Sequence, residues 1–153
     1  LNLSDATLFH GGGWKNLHKI AVGKDFFAIE IQKLFGIPSN RILDFYGMAE
    51  QTGIIFPDCE CGFKHVPSCA KIIIRNIQTL KPCDIGERGL IEVMSILPVS
   101  YYGQALLTED TGRIIGLDGC SCGRRGMFFE FLNRVERAEI RGCGDTFRMD
   151  HGR

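Results

Sequence analysis

The order of apolar and polar positions divides the chain into a first third that reads as α/β and a remainder that reads as β. Residues 6–9 can form a strand that runs into the glycines at 11 to 13. Over residues 25–35 the apolar side chains Phe27, Ile31, Leu34 and Phe35 fall at helical spacing. Gly36 suits the position just past a helix end, and Pro38 prevents the helix from continuing. The apolar run at 42–46 then predicts a short buried strand, giving a strand, helix, strand unit with a parallel crossover. From Cys59 onward the texture becomes β-rich: residues 70–75, 89–96 and 127–132 predict strands, with a turn over 82–86. No tandem repeat, low-complexity tract or long linker is present. The change near residue 58 therefore predicts a join between two parts, 1–58 and 59–153, of one incomplete domain.

Length and charge narrow the options. A domain of 153 residues buries about two-thirds of the surface its unfolded chain exposes, enough for a real core. With 18 basic and 18 acidic residues, no long-range field favours nucleic acid or an anionic membrane, so phosphate binding must be local. The opening residues Leu1 to Asp5 show no basic stretch followed by a long apolar run, which predicts neither a signal peptide nor a membrane span and a cytoplasmic setting. Seven cysteines in such a chain point to thiols, metal ligands or a reactive sulfur more than to a disulfide framework.

Four stretches carry candidate chemistry. Asp44-Phe45-Tyr46-Gly47-Met48-Ala49-Glu50-Gln51-Thr52-Gly53 places a ring, a turn and a carboxylate at the carboxyl end of a predicted strand, where open α/β sheets bind ligands. His10-Gly11-Gly12-Gly13-Trp14-Lys15 lies upstream, and the stretches at 107–113 and 133–142 follow. Read residue by residue, Tyr46 could equally be core, Glu50 a solvated loop carboxylate, Asp110 an acidic turn residue before Gly112, and Arg134 a surface cation. The glycines at 11 to 13 could be a plain tight turn after a strand. His10 and Lys15 receive no catalytic role.

Taken in order, these stretches resemble the adenylate-forming superfamily, with its Tyr-Gly-x-Thr-Glu, Thr-Gly-Asp and Gly-Arg hinge motifs. Within it the chain looks most like the acyl-protein synthetases, the fatty-acid-activating components of bacterial luminescence systems, with the phenylacetate-CoA ligase group close by. The resemblance implies an α/β fold, the C-terminal part of the adenylate-forming N-terminal domain. It implies that Glu50 binds Mg²⁺, that Tyr46 stacks on adenine beside Gly47, and that Asp110 accepts hydrogen bonds from both ribose hydroxyls. Arg134 would contact ribose or phosphate, and Gly11, Gly12 and Gly13 would let the backbone pass close to a base or an acyl chain. Three positions depart from the family pattern: Ala49 stands where it has Thr, and Glu109 and Asn133 stand where it has Gly. Thr52 is the nearest hydroxyl that could replace the one missing at Ala49. Asn tolerates the left-handed turn that a Gly at 133 would make.

The cysteines fall into kinds. Cys59-Glu60-Cys61-Gly62 and Cys120-Ser121-Cys122-Gly123 are two Cys-x-Cys-Gly turns, and four such sulfurs could close a tetrahedral structural Zn²⁺ site, with His65 able to replace one of them. Buried reduced cysteines are the competing reading, and Cys69 and Cys83 are assigned to it. Cys143 lies between Gly142 and Gly144 near Arg141, an accessible setting that favours the thiolate. By resemblance Cys143 is the acyl acceptor.

The expected activity is ATP-dependent conversion of a fatty acid to acyl-AMP, followed by acyl transfer to Cys143 and onward to a reductase or transferase subunit. The family's phosphate loop is absent from these residues and is expected upstream of Leu1. An acyl- or aryl-CoA ligase is the same-class alternative. A zinc-stabilised interaction module without catalysis is the alternative from another class, and nucleic-acid binding is disfavoured by the charge balance.

Overall fold

The computed structural model describes residues 2–12 and 20–135. Strand β1 (Leu8–Gly11) leads to helix α1 (Lys24–Phe35) and strand β2 (Ile42–Tyr46), and β1 and β2 pair in parallel with Leu8 opposite Ile42 and Gly11 opposite Phe45. This is the predicted crossover unit. Gly36 ends the helix in the left-handed conformation at φ 73°, its N–H donating to the Gln32 carbonyl. The apolar face of α1 is only partly covered: Phe27 and Ile31 are half-buried, whereas Leu34 is 63% exposed.

A two-residue strand, β3 (Phe56–Pro57), pairs antiparallel with β2 and completes a three-stranded sheet. The second sheet holds β4 (Lys64–His65), β5 (Ala70–Arg75), β6 (Gly89–Ser95), β7 (Ala105–Leu117) and β8 (Met127–Arg134), in the order β4-β8-β7-β6-β5 with antiparallel pairing throughout. The sequence pattern anticipates β5, β6 and β8. It does not anticipate β7, a 13-residue strand that carries the 107–113 motif. Glu109, Asp110 and Gly112 give that segment a turn-like composition, yet its backbone is satisfied on both sides by β6 and β8. Asp110 is therefore a strand residue. The strand absorbs its irregular composition in bulges at Thr111/Gly112 and Ile114/Gly116. At Gly112 a Cβ would lie 2.5 Å from the Glu130 carbonyl oxygen, so only glycine fits.

One core spans both sheets. Tyr46 and Phe56 from the first, with Ile54 from the loop before β3, meet Ile72, Ile74, Ile91, Val93, Ile114 and Phe129 from the second. Its centre is aromatic, with Phe56 and Phe129 edge to face at 5.5 Å and Tyr46 edge to face with Phe129 at 6.2 Å. A charge network reinforces the join. Lys64, only 3% exposed, lies 2.7 Å from Asp58 and 3.4 Å from Asp44, and Lys24 reaches across from α1 to the same two carboxylates at 2.7 and 2.8 Å. Burial works against the Asp44 charge, but the bond from Lys24 and the Lys64 ammonium hold its carboxyl below the usual range. No helix among the described residues is long and apolar enough to cross a membrane.

Candidate functional site

Tyr46 ends β2, and the chain then turns through Gly47 into a single 3₁₀ turn, Ala49–Gln51, that carries Glu50. Asp110 sits on β7 directly opposite Arg134 on β8. The fold brings these residues to one place from distant parts of the chain. The Tyr46 hydroxyl donates to Asp110 Oδ2 at 3.0 Å, Arg134 pairs with the neighbouring Glu109 at 2.7 Å, and Glu50 is close enough to act electrostatically on both Asp110 and Arg134.

Burial raises the Asp110 pKa above its ordinary value; the Tyr46 hydroxyl and Arg134 oppose the shift, while Glu109 and Glu50 add to it. Burial, and then the Asp110 charge, push the Tyr46 phenol well up, so it stays a neutral donor. The Arg134 guanidinium is held more firmly charged by its bond to Glu109. The Glu109, Asp110 and Glu50 charges thus all act on the one Arg134 guanidinium.

Several expected roles meet a different geometry. The Tyr46 ring is only 8% exposed and packs against Phe56, Phe129 and Phe131, the last stacked at 5.3 Å, so its flat faces are spent in the core and what it offers the site is its hydroxyl. Gly11 makes a close approach, but to protein: a Cβ there would lie 2.6 Å from the Phe45 ring of the paired strand. Gly12 does adopt a left-handed conformation, at φ 83°. Asn133 lies within β8 and not in a left-handed turn, and its side-chain oxygen accepts bonds from Thr111 at 2.5 Å and Arg88 at 2.8 Å. The Thr52 hydroxyl donates to the Ala49 carbonyl, closing the 3₁₀ turn from within. Gly13 and Cys143 lie outside the described residues.

Other residues that shape the site were not singled out by the sequence. Tyr101 donates its hydroxyl to the Glu50 carbonyl and accepts from the Thr52 N–H, while the buried Gln51 side chain donates to the Gly103 carbonyl. The loop between β6 and β7 thereby braces the Glu50 turn. The Tyr101-Tyr102-Gly103 run is the only local sign of it. Arg88, far from Thr111 and Asn133 in sequence, gives no sign at all.

Of the two arrangements open to the cysteines, the structure takes the one in which His65 replaces a sulfur. Cys59, His65, Cys120 and Cys122 converge, their ligand atoms all within 4.8 Å of one another, whereas Cys61 is exposed and stands outside the group. The reason is register: β4 pairs with β8 so that His65 lies opposite Phe128, with the two rings stacked at 5.5 Å, and this carries the imidazole to the place a fourth sulfur would fill. Burial, and then the Arg124 guanidinium, lower the His65 pKa and favour the neutral ring. Cys69 packs against the main core, as assigned. A cavity of about 470 Å³ adjoins this cluster, bounded by Phe9, Leu43, Pro57, Cys59, His65 and Arg124, and a shallower one of about 320 Å³ lies on the 45–55 loop.

Comparisons with known proteins agree with this frame. The family profile described as "Acyl-protein synthetase, LuxE" matches residues 3–151. The long-chain-fatty-acid–luciferin-component ligase of Vibrio harveyi is 29% identical over 91% of this chain and 36% of its own length. Its counterpart from Aliivibrio fischeri is 27% identical over 87% of this chain and 35% of its own. The chain therefore spans about a third of these relatives. Among solved structures, a long-chain-fatty-acid-CoA ligase from Archaeoglobus fulgidus superposes with a TM-score of 0.53 at 16% identity, over 85% of this chain and 28% of that one, a likeness of fold. With the profile match running almost end to end, the chain belongs to the LuxE acyl-protein synthetase family.

Proposed function

We propose that the chain is the part of a fatty-acid-activating ligase that holds the nucleoside end of ATP. The observation that carries this reading is the convergence of Tyr46, Asp110, Arg134 and Glu50 from three separate segments, with Asp110 anchored by the 3.0 Å bond from Tyr46. A carboxylate fixed by one neutral donor keeps lone pairs free for two ribose hydroxyls. Tyr46 acts through its hydroxyl, as the group that orients Asp110, and Gly47 allows the turn that brings Glu50 round. Arg134 faces ribose or phosphate. Glu50 would hold a Mg²⁺ ion, which when bound would screen the charge of the phosphates.

In the reaction, a fatty-acid carboxylate oxygen attacks the α-phosphorus of ATP, the bond to the β-phosphate oxygen breaks, and pyrophosphate leaves with those electrons. The acyl-AMP so formed has a good leaving group. The Cys143 thiolate then attacks the acyl carbonyl, AMP departs, and a thioester remains for transfer to a partner enzyme. A metal ion at the Cys59/His65/Cys120/Cys122 cluster takes no part in these steps.

The test uses the complete protein, incubated with labelled long-chain fatty acid, ATP and Mg²⁺. Expected is a hydroxylamine-labile label that maps to Cys143 and is lost in Cys143→Ser, with acyl-AMP still formed by that variant. Adenylate that forms but passes only to coenzyme A would reject the transfer step, and no adenylate at all would reject the assignment of the site.

A further inference from the structure

The four converging ligand atoms sit on two turns of the same construction. In each, the glycine that ends Cys-x-Cys-Gly is left-handed, Gly62 at φ 77° and Gly123 at φ 80°. In each, its N–H donates to the carbonyl of the first cysteine, at 2.8 Å to Cys59 and 2.9 Å to Cys120. One turn lies between β3 and β4, the other between β7 and β8, so the pair joins the end of the first sheet to the far hairpin of the second. Besides the Arg124–Glu60 ion pair, they are held by a hydrophobic cluster around Cys59, Cys120 and Phe128 that is separate from the main core and small.

Two of the six donor separations lie close to those of a tetrahedral ion, and all six fall within 4.8 Å. With zinc–sulfur bonds of about 2.3 Å and zinc–nitrogen bonds of about 2.05 Å, tetrahedral angles set two sulfurs about 3.8 Å apart and a sulfur and a nitrogen about 3.6 Å apart. Cys59 and Cys120 stand 3.9 Å apart, and Cys122 Sγ is 3.3 Å from His65 Nε2. A disulfide needs about 2.05 Å, so the 3.9 Å pair is no disulfide. The charge also fits. Three thiolates and a neutral imidazole around Zn²⁺ leave one net negative charge, and Arg124 lies beside Cys122 while donating to both carboxylate oxygens of Glu60 on the opposite turn.

We propose that Cys59, His65, Cys120 and Cys122 bind one structural Zn²⁺ that clamps the β3–β4 turn to the β7–β8 turn. All four coordination positions are filled by protein, which leaves no open position for substrate. The site is also remote from the chemistry: Asp110 is followed by seven more residues of β7 before the strand ends at Leu117, roughly 20 Å at strand rise, with Cys120 beyond.

The test is metal analysis of the full-length protein after desalting from Zn²⁺. Expected is about one equivalent per chain, retained in Cys61→Ser and lost in Cys120→Ser and Cys122→Ser. Should those losses reflect misfolding, His65→Cys decides independently: it keeps the ion, and in the Co²⁺-substituted protein the thiolate-to-metal absorption rises and the visible bands move to longer wavelength. Chelation of the parent protein lowers its unfolding midpoint by about 5 °C or more. Less than about a tenth of an equivalent in the parent protein would overturn the proposal. So would loss of metal in Cys61→Ser equal to that in Cys120→Ser, loss in His65→Cys, or an unchanged midpoint after the ion is removed.

Discussion

Replacing Tyr46 by Phe tests the proposed nucleotide site most directly, because it removes one oxygen and leaves the packing of the ring against Phe56, Phe129 and Phe131 in place. That oxygen donates to the Asp110 carboxylate at 3.0 Å in a half-buried setting. A hydrogen bond to a charged group contributes about 1.5–3 kcal/mol, so AMP affinity is expected to fall about 10- to 100-fold as Asp110 loses its anchor and one of the contacts that favour its ionised form.

The pH dependence gives a second signature. The folded-state pKa of Asp110 already lies above 3.8, so its contribution to stability is complete below that value and is lost as pH rises through the folded pKa. Removing the hydroxyl takes away an influence that lowers this pKa. The loss should then extend to higher pH, and AMP binding, which needs the carboxylate, should gain strength later in the titration. Calorimetric AMP titrations of the complete protein between about pH 4 and pH 8 read the binding effect, and thermal unfolding over the same range reads the stability effect. A Tyr46→Phe protein whose affinity and pH profile match the parent would refute the anchoring of Asp110.

Two further outcomes concern the scaffold. Lys64→Met strips the buried cation from Asp58 and Asp44, and urea unfolding should show a loss of about 3–5 kcal/mol, whereas Lys24→Met, at an exposed position, should cost under about 1 kcal/mol. Equal effects of the two would show that burial does not govern the network. Gly11→Ala places a Cβ 2.6 Å from the Phe45 ring and should destabilise by about 1–3 kcal/mol, read from the thermal midpoint; no change would mean that the β1–β2 pair yields without strain.

Much of the fold is legible along the chain, because helix periodicity, a stop signal and strand runs are properties of neighbouring residues. The helix ends at Gly36 as its position predicts, and β5 occupies its expected residues. The motif residues were legible too, but not all their contacts. The alternative of Asp110 as a turn residue arises because short-range pattern weighs composition, while the strand there is made by β6 and β8 on either side.

The sequence by itself determined the crossover unit, the two Cys-x-Cys-Gly turns and the side chains from which the proposed nucleotide site is built. Tertiary structure alone decided that the Tyr46 ring is buried and its hydroxyl exposed to Asp110, that His65 and not Cys61 joins three sulfurs, and that Arg88 and Tyr101 brace the site. Each of these depends on the register of strands or loops many residues apart. A shift of one residue in β4 would turn His65 to the other face of the sheet, and nothing in the local pattern of two residues fixes that choice.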